Sequence, residues 1–169
     1  SNAGSKVENL LGALNCINRI VGTTIVSFSK VYETTAYGVT NQDDFLNMAV
    51  KVDTELSPFE LLFQIKNIET EVGRIKRARW HKREIDIDIL LYDDLILEEP
   101  SLQLPHKELS KRDFVILPLL DIDEECTSPT GEMKLKNLDI VKKKPYIKGL
   151  SRFFFSMKNG LVQIDEQRD

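Results

Sequence analysis

Cysteine is nearly absent from this sequence: Cys16 and Cys126 are the only two, and no short metal-ligand spacing joins them. That pattern leaves no disulfide framework and fits a reduced, cytosolic chain. Histidine is as scarce. With His81 and His106 alone, a zinc hydrolase carrying several histidine ligands finds no support. No apolar run approaches the ~18 residues that crossing a bilayer requires, and no secretory signal is visible. The phosphate-binding loop Gly-x-x-x-x-Gly-Lys-Ser/Thr is missing, as are the dinucleotide fingerprint Gly-x-Gly-x-x-Gly and the nucleophile elbow Gly-x-Ser-x-Gly. Neither charge dominates: 23 Lys and Arg against 27 Asp and Glu leave a formal net charge of -4. Global charge therefore points to no nucleic acid and no membrane partner.

What is present suits one globular domain. The chain has 169 residues, and 41% of them are hydrophobic, enough for a core. Charge is concentrated locally. Arg74, Lys76, Arg77, Arg79, Lys82 and Arg83 form a basic run, and an acidic stretch follows at once. A basic run beside paired carboxylates is what a metal-plus-polyphosphate site needs.

Periodicity organises the rest. Val7, Leu10, Leu11, Leu14, Ile17 and Ile20 repeat at helical spacing. Residues 23 to 32 and 45 to 56 alternate and read as strands, with a Gly/Thr/Asn/Asp loop between them over 34 to 44. Ser57-Pro58 with Glu60 three residues after the cap starts a helix that runs to about Val72 and stops at Gly73. Residues 84 to 92 alternate acid and aliphatic and predict a strand, with Leu95 to Leu97 pairing back on it as a hairpin. Pro100 to Pro105 reads as loop or edge strand, 107 to 122 as partly helical, and Pro129-Thr-Gly131 as a turn. The remainder to Asp169, with Lys142 to Lys144 and Phe153 to Phe155, is less readable. The fold class is α+β. With one strand placed in front, the order becomes βαββαβ, the ferredoxin-like plan of an antiparallel sheet with helices packed on it.

Asp86-Ile-Asp88 is the sharpest chemical feature. Residues two apart in a strand face the same way, ~6.5–7 Å apart. Two such carboxylates are costly to hold together without a cation. Magnesium takes one or two carboxylates plus substrate phosphates, and two ions can stabilise an in-line displacement. The bland alternative is the solvated face of an edge strand. The basic run supplies forks and point charges for phosphate, or is a solvated surface. Trp80 stacks on a base or anchors a loop. His106, after Pro105, donates to a phosphate or is structural. Phe45 and Phe114 sandwich a flat heterocycle or belong to the core.

Longer motifs narrow these choices. Arg79-Trp-His-Lys-Arg-Glu-Ile-Asp-Ile-Asp-Ile-Leu90, Leu104-Pro-His-Lys107 and Arg112-Asp-Phe-Val-Ile-Leu-Pro-Leu119 closely resemble the signature of the 6-hydroxymethyl-7,8-dihydropterin pyrophosphokinase family. Tyr32-Glu-Thr34, Gly38, Asp44-Phe-Leu-Asn47, the Ser-Pro-x-Glu helix start, Glu69 to Arg74 and Pro129-Thr-Gly131 match further blocks in order. The resemblance covers residues 1 to about 136. It implies a ferredoxin-like enzyme of folate synthesis that moves diphosphate from ATP to the pterin and releases AMP.

Carried over residue by residue, the resemblance implies that Asp86 and Asp88 bind two magnesium ions. Arg83 and Arg112 contact the polyphosphate. His106 contacts the α-phosphate region, and Arg74, Lys76 and Arg77 belong to a mobile loop near ATP that also brings in Trp80. Phe45 and Phe114 sandwich the pterin, Asn47 hydrogen-bonds its edge, and Thr34, Thr35, Ala36 and Tyr37 add backbone contacts. The implied reaction is in-line attack by the hydroxymethyl oxygen on the β-phosphorus of ATP, driven by positioning and charge neutralisation. No residue stands out as a dedicated general base. The partners are small molecules, and protein partners are not legible.

The sequence departs from the family pattern in places. His81-Lys82 stands where Gly-Pro is common, one residue is missing between Gly73 and Trp80 relative to some members, and Phe45 is often Tyr. The family opens with a strand ending in Gly-Ser-Asn, whereas this sequence aligns only from Ser1-Asn2, which read either as native or as the remnant of a cleaved tag. The expectation is that the C-terminal tail or a second copy fills the place of that strand. Residues 1–136 are read as the catalytic domain and 137–169 as an extension of unknown role. Two alternatives remain open: another two-metal nucleotidyl transferase or nuclease, and a non-catalytic ferredoxin-like binding module.

Overall fold

The computed structural model describes residues 1, 5–35, 43–73, 84–131 and 134–167. Helix α1 (Lys6–Asn18) buries Leu10, Ala13, Leu14, Cys16 and Ile17, the face that the periodicity marks. Strand β1 (Thr23–Phe28) follows, then β2 (Tyr32–Thr34), β3 (Phe45–Asn47) and β4 (Val50–Thr54). The sequence reads 45 to 56 as one strand. The structure divides it, because β3 pairs with β2 while β4 turns away to pair with β1. Helix α2 (Pro58–Glu71) starts on the expected box: Ser57 Oγ accepts from Glu60 N, and the Glu60 carboxylate accepts from Ser57 N. Each bond satisfies a donor that the helix itself leaves unpaired.

Strands β5 (Leu97–Glu99) and β6 (Leu102–Leu104) form a hairpin. Leu97 therefore pairs forward with Leu104, not back onto 84 to 92 as expected. Helix α3 (Asp113–Ile122) carries Pro118 inside it. The Ser128–Gly131 turn closes by a Gly131 N to Ser128 O bond of 3.0 Å, as expected at Pro129-Thr-Gly131. The short helix α4 (Asp139–Lys143) leads into β7 (Ile147–Leu150), β8 (Phe153–Lys158) and β9 (Leu161–Glu166). β8 and β9 meet at Asn159-Gly160, both with positive φ (53° and 76°), the pairing that a tight two-residue hairpin favours.

All the described ladders are antiparallel, and they form four separate sheets: β1-β4, β3-β2-β7, β5-β6 and β8-β9. The α+β class holds; the ferredoxin-like strand order stays an implication of the family. The tail belongs to the main core. Phe155 and Val162 pack in one cluster with α1, Ile25, Val31, Leu46, Ile68 and Ile85. Asn15 of α1 serves the backbone of Val162 twice, accepting from its N–H (3.1 Å) and donating to its carbonyl (3.4 Å).

Residues 84 to 92 form no strand ladder among the described residues. The alternation nevertheless holds. Ile85 is buried in the first cluster and Ile89 in a second with Leu61, Ile65, Leu102 and Leu104, while Ile87 packs against both. Asp86 and Asp88 are exposed between them. Alternating burial reports an extended backbone, not a paired one. The groups that a ladder would satisfy are met otherwise: Ile87 N donates to Glu69 Oε1 at 2.8 Å, and Leu90 O accepts from His106 N at 2.9 Å.

Candidate active site

Three isoleucines fix the two carboxylates. Each buried aliphatic side chain contributes ~1.5–3 kcal/mol, and Ile85, Ile87 and Ile89 are held in two clusters. The even-numbered side chains must then point the other way. Asp86 and Asp88 face a cleft of about 220 Å³ whose lining also includes His106, Arg112, Phe114, Phe45, Asn47, Thr34 and Thr35. Five separate segments of chain thus deliver nine of the sequence-predicted residues to one cleft.

His106 is held firmly. Its backbone N–H bonds Leu90 O, and its Nδ1 accepts from Glu108 N at 3.2 Å. With Nδ1 an acceptor, the neutral ring carries its proton on Nε2, the nitrogen that lies 4.0 Å from Asp88 Oδ2. Arg112 is the N-cap of α3. Its guanidinium carbon sits 5.7 Å from the Phe114 ring centroid, and its Nε lies 3.7 Å from Glu108 Oε2. Asn47 Nδ2 donates to Thr34 Oγ1 at 2.7 Å, tying β3 to β2 where both residues line the cleft.

Arg74, Lys76, Arg77, Trp80, Arg83, Ala36 and Tyr37 lie outside the described residues. Among the described residues, no group of three or more His, Cys, Asp or Glu side chains could close a metal cage. Asp86 and Asp88 offer two hard-oxygen donors on an open wall. That donor set fits magnesium, which completes its octahedron with water and substrate phosphates, and fits zinc poorly.

The model of the 7,8-dihydro-6-hydroxymethylpterin-pyrophosphokinase (HPPK) family matches residues 1–124. The chain belongs to this family. It is 43% identical over 136 residues to the 2-amino-4-hydroxy-6-hydroxymethyldihydropteridine pyrophosphokinase of Aquifex aeolicus, covering 80% of this chain and 84% of that one. To the enzyme of the same name from Haemophilus influenzae it is 38% identical over 133 residues, covering 79% and 83%. A folic acid synthesis protein of Schizosaccharomyces pombe is 39% identical over 136 residues, which make up 80% of this chain and 19% of that protein.

In this family member, three residues around the cleft escape the sequence reading of the site. Glu69, 2% exposed, holds Ile87 N with one oxygen and Lys66 Nζ (3.1 Å) with the other. A signal for it exists: it falls on the apolar stripe of α2 with Leu61, Ile65 and Ile68, where a carboxylate needs a reason. Asp113, fully buried, lies between Arg112 and Phe114. Tyr146 meets Phe114 edge-on, 5.9 Å between centroids at 82°. Nothing local in the sequence pairs these last two.

Proposed function

We propose that this cleft binds ATP and 6-hydroxymethyl-7,8-dihydropterin and transfers diphosphate between them, with Asp86 and Asp88 holding two magnesium ions. The chain is an ATP-dependent pyrophosphokinase of folate biosynthesis, as its family is named. One observation carries the residue assignment: paired carboxylates, a phosphate-type Arg and His, and two Phe side chains line the same cleft.

Phe45 and Phe114 stack on the two faces of the pterin, and Asn47 with Thr34 and Thr35 reads its edge. Arg112, with Arg83, neutralises the polyphosphate, and His106 Nε2 donates to the phosphate nearer the nucleoside. Magnesium, when bound, supplies charge neutralisation along the polyphosphate. The hydroxymethyl oxygen forms its new bond to the β-phosphorus. The bond from that phosphorus to the bridging α,β-oxygen breaks, AMP leaves, and the hydroxyl proton is released. Positioning by the cleft walls and electrostatic stabilisation carry the rate. Arg74, Lys76, Arg77 and Trp80 belong to the ATP side. Residues 1–136 carry the catalytic side chains, and 137–169 are an extension that packs into the same core. Among the described residues, no helix is long and apolar enough to cross a membrane, and we place the reaction in the cytoplasm.

AMP formation from magnesium-ATP, assayed with and without the pterin, tests this reading. AMP that requires both the pterin and an intact Asp86 supports it. AMP made equally without pterin, or by Asp86→Ala, contradicts it.

A further inference from the structure

The family match ends at residue 124, yet a segment well beyond it touches the cleft. Asp113 Oδ2 accepts from Tyr146 N (2.8 Å) and Ile147 N (3.1 Å), while its Oδ1 accepts from Phe114 N (2.8 Å). A fully buried carboxylate is tolerated only when its lone pairs are met by donors, and three backbone amides meet them here. The carbonyl of Tyr146 accepts from Thr35 N at 3.0 Å. Tyr146 is therefore clamped on both sides of its backbone: its N–H to the start of α3, its carbonyl to the end of β2. Its ring stands edge-on to Phe114. β7 continues the tie, with Ile147 opposite Thr34 and Leu150 opposite Tyr32, and Lys148 Nζ reaches Asp44 Oδ2 at 2.5 Å.

Phe114 and Thr34-Thr35 both line the cleft, and Tyr146 contacts Phe114 through its ring and Thr35 through its backbone. We propose that Tyr146 is a positioning residue for the heterocycle: it sets the pitch of the Phe114 ring and the gap to β2, so that the C-terminal segment completes the pterin pocket. This rests on the pterin reading given above. A ring held at a fixed pitch presents its face without an ordering cost at binding. An edge-to-face pair contributes enough to shift an affinity by roughly two- to twelvefold. The ring, not the hydroxyl, makes the edge contact with Phe114, so phenylalanine should serve as well.

The test is steady-state AMP formation by the full chain with Tyr146→Leu, Tyr146→Ala and Tyr146→Phe. Leucine keeps both backbone bonds and most of the bulk, so it carries the test where alanine fails to fold. The expected result is a pterin KM raised about three- to tenfold in Tyr146→Leu, with the KM for magnesium-ATP unchanged and wild-type behaviour in Tyr146→Phe. A pterin KM within twofold of wild type in Tyr146→Leu overturns the proposal. So does a parallel rise in both KM values, which a merely structural role would give, or a Tyr146→Phe variant as impaired as leucine. Absence of pterin-dependent AMP in the wild type defeats the enzymatic reading itself, and is told apart by needing no variant.

Discussion

Glu69 on helix α2 accepts, at 2.8 Å, the backbone N–H of Ile87, the residue between the two cleft carboxylates. One acid thus sets the placement of two others without touching the cleft. Among the described residues the segment 84 to 92 lacks a strand ladder, so this bond, buried Ile85 and Ile89 and partly buried Ile87 fix its path. Replacing Glu69 by Ala removes the acceptor of the partly buried Ile87 N, at a cost of about 1–3 kcal/mol. A shift of an ångström at the carboxylates costs on the order of a hundredfold in rate. Glu69→Ala should therefore lose both stability and kcat, read by thermal melting and AMP formation.

Asp86 and Asp88 behave differently because they are exposed. Alanine at either position should leave the melting temperature nearly untouched, within about 0.5 kcal/mol, while abolishing turnover. The contrast with Glu69→Ala is the informative part. A melting loss at Asp86 would mean that the carboxylates serve the fold and not a metal.

Asp113 offers a purely structural test of the C-terminal clamp. Alanine there strands the amides of Tyr146 and Ile147. The expected loss is about 2–4 kcal/mol, with protease sensitivity rising in residues 144 to 150. Unchanged stability would mean that those amides find other partners.

Tyr32 carries a pH signature. It is buried and its hydroxyl donates to Asp121 Oδ2 at 2.9 Å; burial first, then that bond, push its pKa well above the usual 10. The unfolded chain gives up this proton near pH 10, while the folded chain holds it. Its contribution to stability is complete below pH 10 and falls as pH rises further. An ultraviolet titration of tyrosinate should show a late component, and Tyr32→Phe should remove it.

Much of this was written in local pattern. The helical stripe of α1, the capping box of α2, the parity that puts Asp86 and Asp88 on one side, and the turn at Pro129-Thr-Gly131 all follow from spacings of two to four residues. Gathering Phe45, Asp86, His106, Arg112 and Phe114 in one cleft was legible through the family motifs. Pairing was not. Whether 84 to 92 lies in a ladder depends on which chain runs beside it, and Leu97 pairs with Leu104 of β6 instead of with that segment. The tail shows the same divide: Asn159-Gly160 announces a hairpin locally, but nothing near Tyr146 names Asp113 or Phe114 as its partners, because those contacts span more than 30 residues.

The fate of labelled phosphorus tests the central claim most directly. Turnover is run with ATP labelled at either the α- or the γ-position, together with the pterin and magnesium. If the cleft transfers diphosphate, the γ-label moves into the pterin product and the α-label remains in AMP. Label from the α-position in the pterin product, or ADP in place of AMP, would contradict it.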